Sequence, residues 1–200
     1  MRKPNLVYRP ALAGLVKAGR FGSQSGSAGV VVKEIQGFAA ASIIASQDQA
    51  IATTAAVSKY FAMPVTDLPR RVVHGGLSTS GVAPGQWLAI ERDPSKSSIS
   101  ALRADLADFA AVVDQSDSRL VLEVSGPLAR LALAKGIPVD LDASVFKPGD
   151  VAQTIAAHIS VQISLMTERP AFELVSAAST AGSLWSWLSA SAGEYGLDVV

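Results

Sequence analysis

Leu120-Val-Leu-Glu-Val-Ser-Gly-Pro-Leu-Ala-Arg-Leu-Ala-Leu-Ala-Lys-Gly-Ile-Pro-Val-Asp-Leu-Asp142 holds, in one run, the signals for a strand, a turn, a short helix and a stop. Leu120, Leu122 and Val124 alternate with Val121 and Glu123, the period of a strand. Ser125-Gly126 predicts a turn. Pro127 suits the first helical position, because its fixed φ fits a helix and its missing N–H has no intrahelical partner there. Leu128, Leu131 and Ala132 fall on one helical face. Gly136 then supplies a C-terminal cap, and Pro138 prevents continuation. The local signals agree with one another, which is what lets a stretch specify its structure.

Downstream, Ile155, Ala157, Ile159, Val161, Ile163 and Leu165 alternate with His158, Ser160, Gln162 and Ser164. This period-two run predicts a half-buried strand on an antiparallel sheet. Glu168-Arg-Pro170 turns it back into a strand from Ala171 to Ser176. Thr180 opens a last helix whose Ala181, Leu184, Trp185, Leu188 and Ala192 share one face. The uncharged run from Leu174 to Gly193 is rich in Ser and Thr and reads as strand, turn and helix rather than a membrane span.

Upstream, Val30 to Ile35 and Phe38 to Ala45 read as a strand pair around Gly37. Asp48 is placed to cap a helix running to about Ala62, with Ala50, Thr53, Val57, Tyr60 and Phe61 on one side. Asp67 to Arg71 is a linker. Val72 to Leu77 and Gln86 to Glu91 read as strands joined by Ser78 to Gly85. A helix starting within Ser95 to Ser98 carries Ile99, Leu102, Leu106 and Phe109 as its apolar positions. Ala111 to Asp114 and Arg119 to Val124 complete a further pair. Gly19 to Gly29 reads as a flexible loop, since its spacing fits neither of the common phosphate-cradling glycine patterns. Before it, Leu12, Leu15 and Val16 share one side of a weakly helical arm that needs a body or a neighbour to dock on. The expected fold class is α+β, antiparallel sheets with helices packed on one side. An arm and loop over residues 1–29 precede a domain over 30–200 made of two ferredoxin-like lobes, about 30–94 and 95–200.

Lys+Arg and Asp+Glu both number 17, so the net charge is zero, which argues against nucleic acid as a partner. The charged fraction is 17%, against roughly 25% in ordinary soluble domains, while hydrophobic residues reach 49%. So few charges protect a lone protein poorly against association. Two readings follow: partner chains cover much of the surface, or the chain is a tightly packed, Ala-rich monomer. With no cysteine, disulfides and thiolate chemistry are excluded. The N-terminus is basic and lacks the apolar run of a signal peptide, so a cytoplasmic location is expected.

No catalytic, cofactor-binding or metal-ligating set emerges. His74 and His158 are the only histidines and have no metal-site spacing. His158 falls on the polar side of its expected strand, and His74 precedes a Gly75-Gly76 turn. No serine stands in a nucleophile elbow. Asp140 and Asp142 follow the helix stop and read as loop solvation rather than an acid–base pair. Arg130 has the reach to grip a carboxylate, to pair with a local acid, or to meet a partner chain. Trp187 lies off the apolar stripe of the last helix. It is either an exposed anchor for a protein partner or covered by a neighbouring loop.

Several short motifs occur in order: Pro84-Gly-Gln-Trp-Leu-Ala-Ile90, Ser125-Gly-Pro-Leu-Ala-Arg130, Lys135-Gly-Ile-Pro-Val-Asp-Leu-Asp142, Phe146-Lys-Pro-Gly149, and Ala152-Gln-Thr154 with His158. From about Val72 to Leu188 the chain resembles the gamma-subunit family of heterotetrameric sarcosine oxidases, within the wider folate-binding aminomethyltransferase-like fold. Arg9-Pro-Ala-Leu12 meets only part of that family's Arg-Ser-Pro-Leu opening. The resemblance implies a structural subunit without an active site of its own, in a complex with alpha, beta and delta subunits. There sarcosine, tetrahydrofolate and O2 become glycine, 5,10-methylenetetrahydrofolate and H2O2. It implies that FAD, FMN, NAD and zinc belong to those partners. Arg9, Leu12, Arg130 and Trp187 are the expected interface residues. Two alternatives stay open: a stand-alone folate-binding aminomethyltransferase-like protein, and the gamma chain of a related oxidoreductase for another N-methyl amino acid. A small-ligand regulatory module is a further class.

Overall fold

The structure, a computed structural model, describes residues 9–93 and 98–200. In chain order the strands and helices are β1 (Gly19–Phe21), β2 (Val30–Glu34), β3 (Ala39–Ala45), α1 (Ala50–Phe61), β4 (Arg71–His74), β5 (Leu77–Ala83), β6 (Gln86–Glu91), α2 (Ser98–Asp105), β7 (Ala110–Asp114) and β8 (Arg119–Ser125). Then come α3 (Ala129–Ala134), β9 (Val151–Ala156), β10 (Ile159–Thr167), β11 (Ala171–Ala177), α4 (Ala181–Ala192) and β12 (Leu197–Val199). They build two sheets, a seven-stranded one ordered β1-β12-β2-β8-β11-β10-β9 and a five-stranded one ordered β4-β5-β6-β3-β7. Every pairing is antiparallel except β12 with β2. The chain is α+β, as expected.

Alternating side chains of each sheet point to opposite faces. On one face of the seven-stranded sheet, Leu122, Val124, Ile163, Phe172 and Leu174 pack with Leu133, Leu184 and Leu188 of α3 and α4. On one face of the five-stranded sheet, Ile43, Trp87, Ala89 and Val112 pack with Val57, Phe61 and Leu102 of α1 and α2. The other faces meet each other: Ala40, Leu88 and Ile90 of one sheet pack on Val121 and Val175 of the other, with Ile35 and Phe38. The layers therefore run helix, sheet, sheet, helix.

This stacking redirects several expected elements. β2 and β3 do not form a hairpin, and neither do β7 and β8; in each case the chain crosses from one sheet to the other. Alternation looks the same in a hairpin and in a crossing strand, so the period did not separate them. The crossings also cut across the expected division near Pro94, itself outside the described residues: β1 and β2 join the C-terminal sheet, and β7 joins the N-terminal one. Gly19 to Gly29 is not a free loop, because it opens with β1 on β12, and the backbone N–H groups of Ser23 and Gly29 donate to Gly193 and Tyr195. Ser78 to Gly85, expected as a link, is mostly β5; its Ser78, Thr79 and Ser80 are buried between neighbouring strands.

The run from Ile155 to Leu165 is two strands, with Ala157 and His158 between them at φ 45° and 75°. Two successive positive-φ residues are the geometry of a tight hairpin, and without Gly or Asn the turn carried no sequence signal. His158 thus sits in a turn rather than on a strand. Gln162 and Ser164, expected on a solvated face, are buried against the second sheet. Asp48 is itself at φ 60° and does not cap α1; Gln49 holds that position without a side-chain bond. In α3, Ala129, Ala132 and Leu133 are buried while Leu131 is 55% exposed, so the buried face is turned from the expected one. The helix starts after Pro127, at Ala129. In the arm, Leu12 is buried but Leu15 is exposed, so the two do not share one docked side. Ser95 to Ser97, included in the expected helix start, lie outside the described residues.

Candidate functional site

The polar groups that matter lie between the sheets. Glu173 of β11 is fully buried and faces the five-stranded sheet. The Arg71 guanidinium at the start of β4 donates to it from Nε (3.1 Å) and Nη2 (3.3 Å). Arg92, directly after β6, donates from Nη2 to the same carboxylate at 2.9 Å and from Nη1 to Glu123 of β8 at 3.5 Å. Both oxygens of Glu173 are engaged, as a buried carboxylate requires. The network clamps sheet to sheet; its carboxylates serve as fixed acceptors. Nothing in the sequence reading singled it out. The available signal was a Glu in the middle of an apolar strand, at Glu123 and again at Glu173. A solvated side of a strand gives the same signal.

The expected interface residues do not converge. Arg9 is exposed and donates to its own loop at the Ala13 carbonyl, 3.2 Å away. Leu12 is buried in the core of the seven-stranded sheet, and its N–H donates to Glu34, so its side chain offers little to a surface contact. Among the described residues Arg130 makes no salt bridge, although its charge helps lower the nearby Asp142 carboxyl. It donates to the Leu141 carbonyl and lies 5.3 Å from the centre of the buried Phe172 ring, bracing α3 against the following loop. Trp187 is half-buried rather than exposed, and the segment that covers it contains Gly136. A Cβ on Gly136 would stand 2.4 Å from Trp187 Nε1. That contact, not a left-handed cap, explains the glycine, since Gly136 is absent from the positive-φ positions. Trp185 meets Phe21 edge-on at 5.4 Å.

His74 closes β4 and His158 sits in the β9–β10 turn, both exposed. Among the described residues no group of three His, Asp or Glu is placed to hold a metal. Asp140 and Asp142 organise their loop: Asp140 accepts from the Asp142 N–H at 3.0 Å, and Asp142 accepts from the Ser144 hydroxyl and N–H. The Ser144 bonds, with smaller contributions from Arg130 and Lys147, hold the Asp142 carboxyl below its ordinary range. That favours a permanent carboxylate over a proton donor. At the end of α4, Lys135 donates to Glu194 and to the Ser191 carbonyl, and lies over the Tyr195 ring.

Residues 44–194 match the profile of the sarcosine oxidase, gamma subunit family. A curated relative, the sarcosine oxidase subunit gamma of an Arthrobacter species, is 34% identical over 101 residues. That match takes in 48% of this chain and 50% of the relative, so the chain spans about half the length of the curated relative it matches. Among solved structures, a chain of the heterotetrameric sarcosine oxidase from Corynebacterium sp. U-96 in complex with pyrrole 2-carboxylate superimposes with a TM-score of 0.74 at 23% identity, over 86% of this chain and 87% of that one. The glycine cleavage system aminomethyltransferase T from Bartonella henselae gives 0.65 at 12% identity, over 86% of this chain and 48% of that one. At those identities the two structures speak to the fold, and both share it.

Proposed function

The chain belongs to the sarcosine oxidase gamma subunit family, and from that membership we propose that it is the gamma subunit of a heterotetrameric sarcosine oxidase. The carrying observation is the profile match across residues 44–194, which takes in both sheets and all four helices in whole or part. In this reading the complex oxidises the N-methyl group of sarcosine. Glycine leaves, the one-carbon unit passes to tetrahydrofolate, and O2 is reduced to H2O2. FAD, FMN, NAD and zinc are held by the alpha, beta and delta subunits. This chain contributes surface and rigidity, in the cytoplasm.

Two features of the chain support a structural role. The buried carboxylate of Glu173 is spent on clamping the sheets through Arg71 and Arg92, which leaves that network no free acid or base. The exposed side of α4 carries no charge: Gly182, Ser183, Ser186 and Ala190 are exposed, as is Leu131 of α3. An uncharged outer layer loses little solvation when a partner covers it. Leu131 and the outer side of α4 therefore replace Leu12 and Arg130 as contact candidates.

Affinity purification of the tagged chain from its native cells tests the proposal. The expected result is a yellow complex with three further chains that makes peroxide and glycine from sarcosine. A colourless chain that purifies alone and binds folate overturns it in favour of the transferase reading. N-Methylglutamate, assayed beside sarcosine, separates the related oxidoreductases.

A further inference from the structure

Among the described residues three arginines border the inter-sheet layer, and carboxylates meet only two of them. Arg71 and Arg92 share Glu173 and Glu123 at one part of the layer. Arg119, at the start of β8, makes no ion pair or hydrogen bond among the described residues, and its Nε is buried without an acceptor. It borders a cavity of about 300 Å³ between the sheets, at the small end of the range for ligand pockets. Gln162 of β10, 3% exposed, lines the same cavity. Its Oε1 accepts from Gln153 at 3.1 Å, which leaves its own buried Nε2 without a partner.

Buried donors without acceptors are rare, because each forfeits its hydration. Arg119 and Gln162, each with such a donor, border one cavity, and a small turn of either side chain brings its N–H to an acceptor held there, which must come from outside the chain. The charge argues the same way: among the described residues Arg119 is the only charged one in the lining, with no Asp or Glu there to neutralise it. Val82, Leu88, Val161 and Val175 supply apolar wall. We infer that this cavity binds a short carboxylate, which Arg119 and Gln162 hold by its oxygens while its carbon chain rests on the valines. The carboxylate comes either from a free small acid or from an acidic side chain of a partner chain. The inference stands on this chain's own residues and does not depend on the subunit assignment.

Ligand-observed NMR with sodium propionate, on the full chain and on the complex in which it purifies, tests the site at constant ionic strength. Propionate should bind saturably. Propionamide, which keeps the shape and loses the charge, should bind at least about tenfold more weakly, as should sulfate. Arg119→Gln should cost a similar factor and Gln162→Leu a smaller one, in variants whose circular dichroism matches the parent. Propionate binding in both preparations identifies a free acid as the natural occupant. Binding by the free chain alone, lost on assembly, identifies a partner's side chain. The inference is overturned if propionate fails to saturate either preparation, if propionamide or sulfate binds as well as propionate, or if Arg119→Gln binds like the parent. The comparison among the three ligands decides the matter even if a variant does not fold.

Discussion

Glu173 and Leu174 are neighbours in β11, both wholly shielded from solvent, and they belong to different kinds of interior. Leu174 points into the apolar layer under α3 and α4, where stability grows with area removed from water. Glu173 points into the layer between the sheets, where apolar residues are interspersed with arginines, glutamates and buried serines. The first layer tolerates swaps of similar volume. The second depends on each charge keeping its partner. One strand thus shows that burial alone does not say what a position requires.

The comparison breaks most sharply at Glu173. Glu173→Ala strands Arg71, whose side chain is 8% exposed, as an unpaired buried cation. The expected loss is about 3–5 kcal/mol in a urea unfolding series. Leu174→Ala should lose about 2–5 kcal/mol by transfer and cavity terms, without that charge penalty. The triple variant Glu173→Leu, Arg71→Met, Arg92→Met tells the two apart. Replacing the buried carboxylate and both arginines with apolar groups, with the partly exposed Glu123 left to water, should recover most of the single variant's loss. A triple variant no more stable than Glu173→Ala would show that the charges set how the sheets pair, beyond neutralising one another.

Much of the helix-facing interior was readable from the sequence for the reason this contrast gives. Ala181, Leu184, Leu188 and Ala192 follow helical spacing, and Leu120, Leu122 and Val124 follow strand spacing, onto faces that are apolar from end to end. The inter-sheet face is written in Gln162, Ser164, Glu123 and Glu173, and by composition that is a solvated face. Local periodicity does not record that a second sheet lies opposite, since that fact belongs to the crossings at Gly37 and at 115–118. Of the expected interface residues, Leu12 and Arg130 turn out to serve the chain's own packing, because a long apolar or cationic side chain fits either use. The Arg119–Gln162 pair was unreadable for the same reason as Glu173.

A smaller effect sharpens the boundary between core and surface. Gly136→Ala drives a methyl against Trp187, and strain of this kind costs about 1–3 kcal/mol. Adding Trp187→Ala removes the obstacle, so the penalty of the alanine at 136 should largely vanish in that background. A double-mutant cycle reads this directly. Independent, additive losses would mean that Gly136 matters for some reason other than the tryptophan.

The smallest effect belongs to Lys135 and Glu194, which face water at the end of α4. The Lys135 hydrogen bond, aided by Tyr195, holds the Glu194 carboxyl below its ordinary range, and the Glu194 bond raises the Lys135 ammonium above its own. A lowered carboxyl adds stability that is present above its unfolded pKa and fades as pH falls through the folded one. A raised ammonium adds stability that is present below its unfolded pKa and fades as pH rises through the folded one. The pair therefore contributes across neutral pH and withdraws at both ends. Its exposure makes it sensitive to salt, whose screening length is about 3 Å at 1 M. Glu194→Gln should lower the urea midpoint slightly at neutral pH and low salt. The difference should disappear in molar salt and again below the carboxylate range. A difference that survived both conditions would place Glu194 with the buried, partner-dependent charges of the inter-sheet layer rather than with the surface.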